Sequence, residues 1–369
     1  MTATPRAARI PVPETGAALA RKIAEAAGGS AVAVLVYGSH LNRARPGRGS
    51  AWDLVVVVEE YRRFHRALRA AGEIHRPLLF FDALATILPP NVIAFTPDDG
   101  REGMAKCLVV RRDHFERGLS LRARDHFLLG RMIQKVALAW SAGPEAEAWV
   151  ERCLERAHHT IPVWMAPFVR GRFDLDRFGL RVLQVCYRGE IRPEAGNRSE
   201  VIYQAQADHF RAVLSPVLEE AVREGRMERV EEGAGRGGGV EAGVGGAGAE
   251  GAGADGAGGA GSGHGGGGGV DPSGGAGSGE GGPVYRYARP ATLGERIRWR
   301  VHFLRSKVRS TMRWFKHVLT FDNWLPYITR KVERRTGQTV ELTRLERRWP
   351  VIFLWPRVVR TLLDRPERE

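Results

Sequence analysis

Residues 34–60 read VLVYGSHLNRARPGRGSAWDLVVVVEE, and the fold turns on how this stretch divides. AVAVLVY at residues 31–37 and DLVVVVEE at 53–60 are β-branched runs of strand length, the second opened by Asp53 and the first closed by Gly38-Ser39. Runs of this kind, bounded by Gly and polar residues, predict buried strands. The intervening RARPGRGSAW carries Arg43, Arg45 and Arg48. These read as solvated, with contact to phosphate as the alternative.

Working outward, residues 17–27 have helical spacing and end at Gly28-Gly29, and YRRFHRALRAAGE after the second strand is helical again. RPLLFFDALATILPPNVIAFT mixes short apolar runs with Pro, and KCLVVRRDHFERGL predicts a strand followed by a turn or short helix. From Asp125 the pattern turns mainly helical, beginning with DHFLLGRMIQKVALAW. The order is α/β first and helices second, with units at 17–124 and 125–229.

Composition limits how much of the 369 residues folds. Residues 230–283 are almost entirely Gly, Ala, Glu and Ser, with too few side chains to offset the entropy of ordering, which predicts a disordered linker. The net charge of +14 is uneven: from Val284 to Glu369 there are 21 Lys and Arg against 8 Asp and Glu. A negatively charged partner should therefore meet this 284–369 tail first. Cys107, Cys153 and Cys186 are widely spaced, which argues against a disulfide framework or a structural zinc site. MTATPRAARIPVPETG lacks an apolar signal region and no run approaches the roughly 18 apolar residues of a membrane span, so any membrane contact is expected to be peripheral and on the cytoplasmic side.

A strand ending in Gly-Ser beside a strand carrying a carboxylate is similar to the nucleotide-binding end of polymerase-β-like nucleotidyltransferases. There, turn amides and a helix N-terminus hold the triphosphate, while carboxylates hold magnesium against the charge that builds at the α-phosphate. The usual pattern has two carboxylates one residue apart, whereas position 55 is Val. With one Asp alone, an ordinary turn beside a strand-edge carboxylate remains the other reading.

The ordered set of segments resembles the mitochondrial-type phosphatidate cytidylyltransferases. Tyr37-Gly38-Ser39, Asp53 in DLVVVV, Glu59-Glu60 and His65 in FHRAL follow the family's first motif. PPNVIAF, MAKCLVV with Lys106, FLLGRMIQKVAL with Gly130, Arg131 and Lys135, VCYRGEIRPE with Glu190 and Arg192, and ADHFRAVLSPVL follow in family order. The family usually has Asp where Glu190 stands and Trp-His where FHR stands. The resemblance implies an α/β polymerase-β-like domain with a mixed sheet, a helical domain completing the active site, and a separate basic helical tail. It implies transfer of CMP from CTP to phosphatidate with Mg²⁺. Asp53 and Glu190 would be catalytic and metal-binding, while Gly38, Ser39, Lys106, Arg131, Lys135 and Arg192 would bind nucleotide or lipid phosphates.

Residue geometry refines these expectations. Glu59 lies about 20 Å along the strand from Asp53 at ~3.3 Å per residue, too far to share an ion. Glu190, or Asp82 and Asp113 on neighbouring strands, then supplies a second ligand, with Glu190 preferred. Arg131 and Lys135, four apart, would share a helix face, suited to one anion or to solvent. His65 reads as a satisfied histidine more readily than a catalytic one.

In the tail, Leu293, Ile297, Val301, Leu304, Val308, Met312, Phe315 and Leu319 form an apolar stripe at helical spacing, with Arg296, Arg298, Arg300, Arg305, Lys307, Arg309, Arg313 and Lys316 beside it. Five of the nine Trp lie beyond the linker. This suits an in-plane helix on an anionic membrane, the alternative being a helix packed on the catalytic unit. No nucleic-acid-binding motif accompanies the charge. A nucleotidyltransferase with a non-lipid acceptor and a non-catalytic surface-binding protein are the competing readings.

Overall fold

A computed structural model describes residues 6–42, 51–74, 78–96, 103–188, 198–230 and 282–320, with Thr343. The arginines between Ser39 and Asp53, Glu190, Arg192, nearly all of the 230–283 linker and the rest of the tail lie outside these residues.

Helix α1 (Glu14–Ala26) leads into β1 (Ala31–Tyr37), the short α2 (Ser39–Asn42) and β2 (Trp52–Val58). Helices α3 (Tyr61–Ala70) and α4 (Leu78–Ile87) precede β3 (Asn91–Phe95), β4 (Ala105–Arg111) and α5 (Arg112–Gly118). One turn of helix, α6 (Leu129–Met132), is followed by β5 (Val136–Ser141). The five strands form one mixed sheet in the order β3-β4-β2-β1-β5. β2 and β4 run parallel, and the other neighbours are antiparallel.

β5 corrects the helical reading of residues 125–140. Ala137, Leu138 and Ala139 favour helix locally, but Val136 through Ser141 pair with β1 along its length, and this tertiary pairing outweighs propensity. The sheet therefore draws its fifth strand from the segment assigned to the helical unit.

Alternation along the strands divides the core. Val34, Val36, Leu54, Val56 and Val58 point to the face covered by Leu19 and Ile23 of α1, Phe64 and Leu68 of α3, and Phe81 of α4. Leu35, Val55, Val57, Leu108 and Val110 point to the opposite face. There they meet Phe115 of α5 and helices α7 (Pro144–His159), α8 (Ile161–Met165), α9 (Leu175–Arg188) and α11 (Ala207–Arg223), with α10 (Arg198–Gln204) between the last two. Burial on both faces explains why β1 and β2 read as unbroken apolar runs.

Beyond α11, β6 (Met227–Val230) pairs antiparallel with β7 (Val284–Tyr287). The Gly/Ala-rich segment thus joins the two strands of one hairpin. Tyr285 of β7 also exchanges two backbone hydrogen bonds with Phe173, at 3.0 and 2.8 Å, and its hydroxyl donates to Glu219 at 2.6 Å.

The long α12 (Leu293–Thr320) packs on the body, contrary to the expected separate tail. Trp299 and Phe303 are buried with the core, each contributing about 2–3 kcal/mol if fully removed from water. The Ser306 hydroxyl accepts the His126 backbone N–H at 3.0 Å. Arg309 and Arg313 both reach Asp125 Oδ2, at 2.7 and 2.5 Å. Lys316 Nζ donates to the carbonyls of Leu88, Pro90 and Leu84 at 2.5, 2.9 and 3.3 Å, where α4 ends. Three of the cations expected beside the apolar stripe therefore face the protein. The stripe faces outward: Ile297, Val301, Leu304, Val308, Met312 and Phe315 are each at least half exposed.

Candidate functional site

Pairing register collects the first set of candidate residues at one end of the sheet. Tyr37 stands opposite Asp53 on one side and Val136 on the other, and Asp53 stands beside Lys106 in the parallel β2–β4 pair. Paired residues project to the same face, so the carboxylate of Asp53 and the stem of Lys106 leave the sheet side by side. Lys135 immediately precedes Val136, which places it next to Gly38. Gly38, Ser39, Asp53, Lys106 and Lys135 thus lie at the same end of the sheet.

Local geometry fixes the Gly38-Ser39 turn. Gly38 has φ +84°, and a Cβ there would lie 2.8 Å from Asp53 Oδ2, so the position excludes a side chain and the carboxylate lies against the turn. His40 stacks on Trp52 with centroids 4.0 Å apart, tying α2 to the start of β2. The Trp52 N–H donates to the Met104 carbonyl at 2.9 Å, which holds that start in register with β4. With four residues, α2 supplies turn amides but little macrodipole.

Other candidates lie elsewhere. Arg131 is buried, donates to the Phe127 carbonyl at 2.7 Å and stacks over the Phe127 ring at 3.7 Å. Because α6 ends at Met132, Arg131 and Lys135 do not share a helix face. The Lys135 backbone N–H instead donates to Gln206 at 2.8 Å.

Asp82 and Asp113 are on helices, not strands, and neither stands at the Asp53 end. Asp82 Oδ1 meets His65 Nδ1 at 2.7 Å. Burial pulls the His65 pKa down, only partly opposed by Asp82, which supports the structural reading of this histidine. Asp113 follows the far end of β4 and receives Arg111 at 2.5 and 2.7 Å; the Arg111 hydrogen bond is the main reason its pKa falls to about 2.

One carboxylate, Asp53, therefore stands at the turn among the described residues. No cluster of three or more His, Cys, Asp or Glu side chains suited to a metal occurs among them. Mg²⁺ is commonly held by one or two carboxylates together with substrate phosphates and water, so a single Asp beside an amide-bearing turn fits that mode in part. Sequence reasoning missed the position of Lys135 at a strand start, although the apolar VALAW after it was a usable signal.

Compared with protein-family models and with curated proteins, the chain matches none. Among the described residues, no helix is long and apolar enough to cross a membrane.

Proposed function

We propose that the chain is a nucleotidyltransferase of polymerase-β-like fold that transfers CMP from CTP to phosphatidate, yielding CDP-diacylglycerol and pyrophosphate. The observation that carries this reading is the Asp53 carboxylate set against the Gly38-Ser39 turn with Lys106 beside it. In the reaction a phosphate oxygen of phosphatidate bonds to the α-phosphorus of CTP as the bond to the bridging oxygen of the β-phosphate breaks, releasing pyrophosphate. A phosphomonoester is already an anionic nucleophile near neutral pH, so orientation and charge stabilisation can carry the rate.

The turn amides and the Ser39 hydroxyl would hold the triphosphate, and Lys106 and Lys135 would balance its charge. Asp53 would hold Mg²⁺ together with the nucleotide, the ion supplying neutralisation of phosphate charge. Glu190 and Arg192 complete the proposed site by resemblance. The outward apolar stripe of α12, bordered by exposed Arg298, Arg300, Arg305 and Lys307, supports peripheral attachment to an anionic membrane.

The test is incubation of the purified full chain with radiolabelled CTP, Mg²⁺ and phosphatidate vesicles. Formation of labelled CDP-diacylglycerol that is abolished by Asp53→Asn supports the proposal. Transfer to a soluble acceptor instead would replace the lipid by another acceptor. The single described carboxylate favours a non-catalytic protein as the second reading, and absence of transfer from CTP or ATP to any acceptor would support it.

A further inference from the structure

A cavity of about 610 Å³ lies between the segment before α9, one face of α9 and the first turns of α12. Arg170 and Arg172 approach it from the segment, Arg177, Arg181 and Arg188 from α9, and Arg296 and Arg300 from α12. No carboxylate lines it among the described residues. The nearest described acidic residues in sequence bond to groups other than the cavity guanidiniums: Asp174 accepts the Arg177 backbone N–H at 2.7 Å, Asp176 takes Tyr203 at 2.6 Å and Arg211 at 2.7 and 2.9 Å, and Glu295 takes Arg289 at 2.9 Å and the Thr292 backbone N–H at 2.8 Å.

Gathering seven guanidinium groups without an opposing charge costs free energy, which a bound anion would recover. The site is also partly organised. Arg181 is fixed by donating to the Phe168 carbonyl at 3.1 Å and to Gln184 at 3.0 Å. Arg296 Nε is shielded from solvent and makes no hydrogen bond to any described residue. Planar forked donors of this kind match the oxygens of phosphate. Phe168, Phe173 and Phe178 give the cavity an apolar wall. Ile297 and Val301, each next in sequence to a cavity arginine, are exposed.

We infer that this arginine-lined cavity between α9 and α12 binds a multiply charged phosphate group, borne either by a lipid phosphomonoester headgroup or by a free pyrophosphate. The inference uses none of the residues at the Gly38–Asp53 end of the sheet and holds whether or not the chain catalyses nucleotidyl transfer.

Binding of the full chain is measured by titration with inorganic pyrophosphate and with vesicles of phosphatidylcholine with and without phosphatidate. The variant Arg170→Gln/Arg172→Gln/Arg177→Gln removes three exposed cavity charges that are not on α12. Arg62→Gln/Arg66→Gln/Arg69→Gln on α3 removes three exposed charges elsewhere. The cavity variant should lose about tenfold or more in affinity, against less than about twofold for the control. Loss with pyrophosphate assigns a free phosphate, whereas loss confined to phosphatidate vesicles assigns the headgroup; either supports the inference. Failure of the wild-type chain to bind either probe, or equal losses in the two variants, overturns it. If the triple variant melts early, Arg296→Met gives the same reading, and unchanged affinity in that folded variant also overturns the inference.

Discussion

Arg313 Nη2 donates to Asp125 Oδ2 at 2.5 Å, joining residues 188 apart in sequence and fastening α12 to the segment before α6. The Arg313 side chain is 2 % exposed and that of Asp125 9 %, and Arg309 shares the same carboxylate oxygen. Removing the acid would strand two cations, whereas an exposed pair such as Arg111–Asp113 is screened by water. Asp125→Ala should therefore cost about 3–5 kcal/mol in urea unfolding, against less than about 1 kcal/mol for Asp113→Ala. Equal costs would show that α12 is not held through this pair.

The same pair sets an acid dependence. Burial alone would raise the Asp125 pKa, but the charge and hydrogen bond of Arg313, aided by Arg309, outweigh it and hold the carboxyl below its ordinary value. A lowered folded pKa gives stability that is complete above the unfolded value of about 3.9 and disappears as pH falls through the folded value. Unfolding free energy of the wild type should therefore decline below about pH 4 more steeply than that of Asp125→Asn. Parallel curves would contradict this.

The two central strands were legible because burial on both faces leaves an unmistakable β-branched run, as in Ala31–Tyr37 and Trp52–Val58. β5 was not, because its Ala and Leu suit helix and only the pairing with β1 decides the matter. α12 was legible as an amphipathic helix, but its orientation was not. The sequence pattern left two placements, the apolar stripe toward a membrane or packed on the catalytic unit, with the cations flanking it in both. Asp125 and the carbonyls of Leu84, Leu88 and Pro90, distant in sequence, instead draw Arg313 and Lys316 to the protein. At the candidate site, Gly38-Ser39 and Asp53 were readable as a local pattern, whereas the burial of Arg131 over Phe127 depends on tertiary packing.

The β6–β7 hairpin predicts that the Gly/Ala-rich insertion is dispensable for folding. Replacing residues 231–283 by an Asn-Gly turn should retain the fold and raise stability by about 2–3 kcal/mol, since closing a loop on the order of 50 residues costs that much more entropy than closing a two-residue turn. Chemical unfolding of the shortened chain checks this. A collapse of the transition would mean that the insertion itself supports the hairpin.

Gly38 and Asp53 should be energetically coupled. Gly38→Ala forces a side chain into φ +84° and against Asp53 Oδ2, for a cost of roughly 1–3 kcal/mol. Asp53→Ala removes the oxygen in the way but not the backbone strain. A double-mutant cycle read by urea unfolding should then give a coupling of about 0.5–1.5 kcal/mol, the part of the Gly38→Ala penalty that is relieved. Additive effects would show that the carboxylate does not lie against the turn in solution.

The exposed face of α12 makes opposite predictions for stability and for surface binding. Leu304 is 64 % and Val308 53 % exposed, so Leu304→Glu/Val308→Glu should change unfolding free energy by less than about 1 kcal/mol. On an anionic bilayer the same side chains would enter the headgroup region while Arg298, Arg300, Arg305 and Lys307 meet lipid charge. Placing two carboxylates there removes apolar burial and adds repulsion, so co-sedimentation with phosphatidate-containing vesicles should fall by about tenfold or more. A large loss of stability with unchanged vesicle binding would mean that the chain's own residues 321–369 cover this face. Vesicle binding unchanged at constant stability would remove the stripe from membrane attachment and leave the cationic groups to account for it.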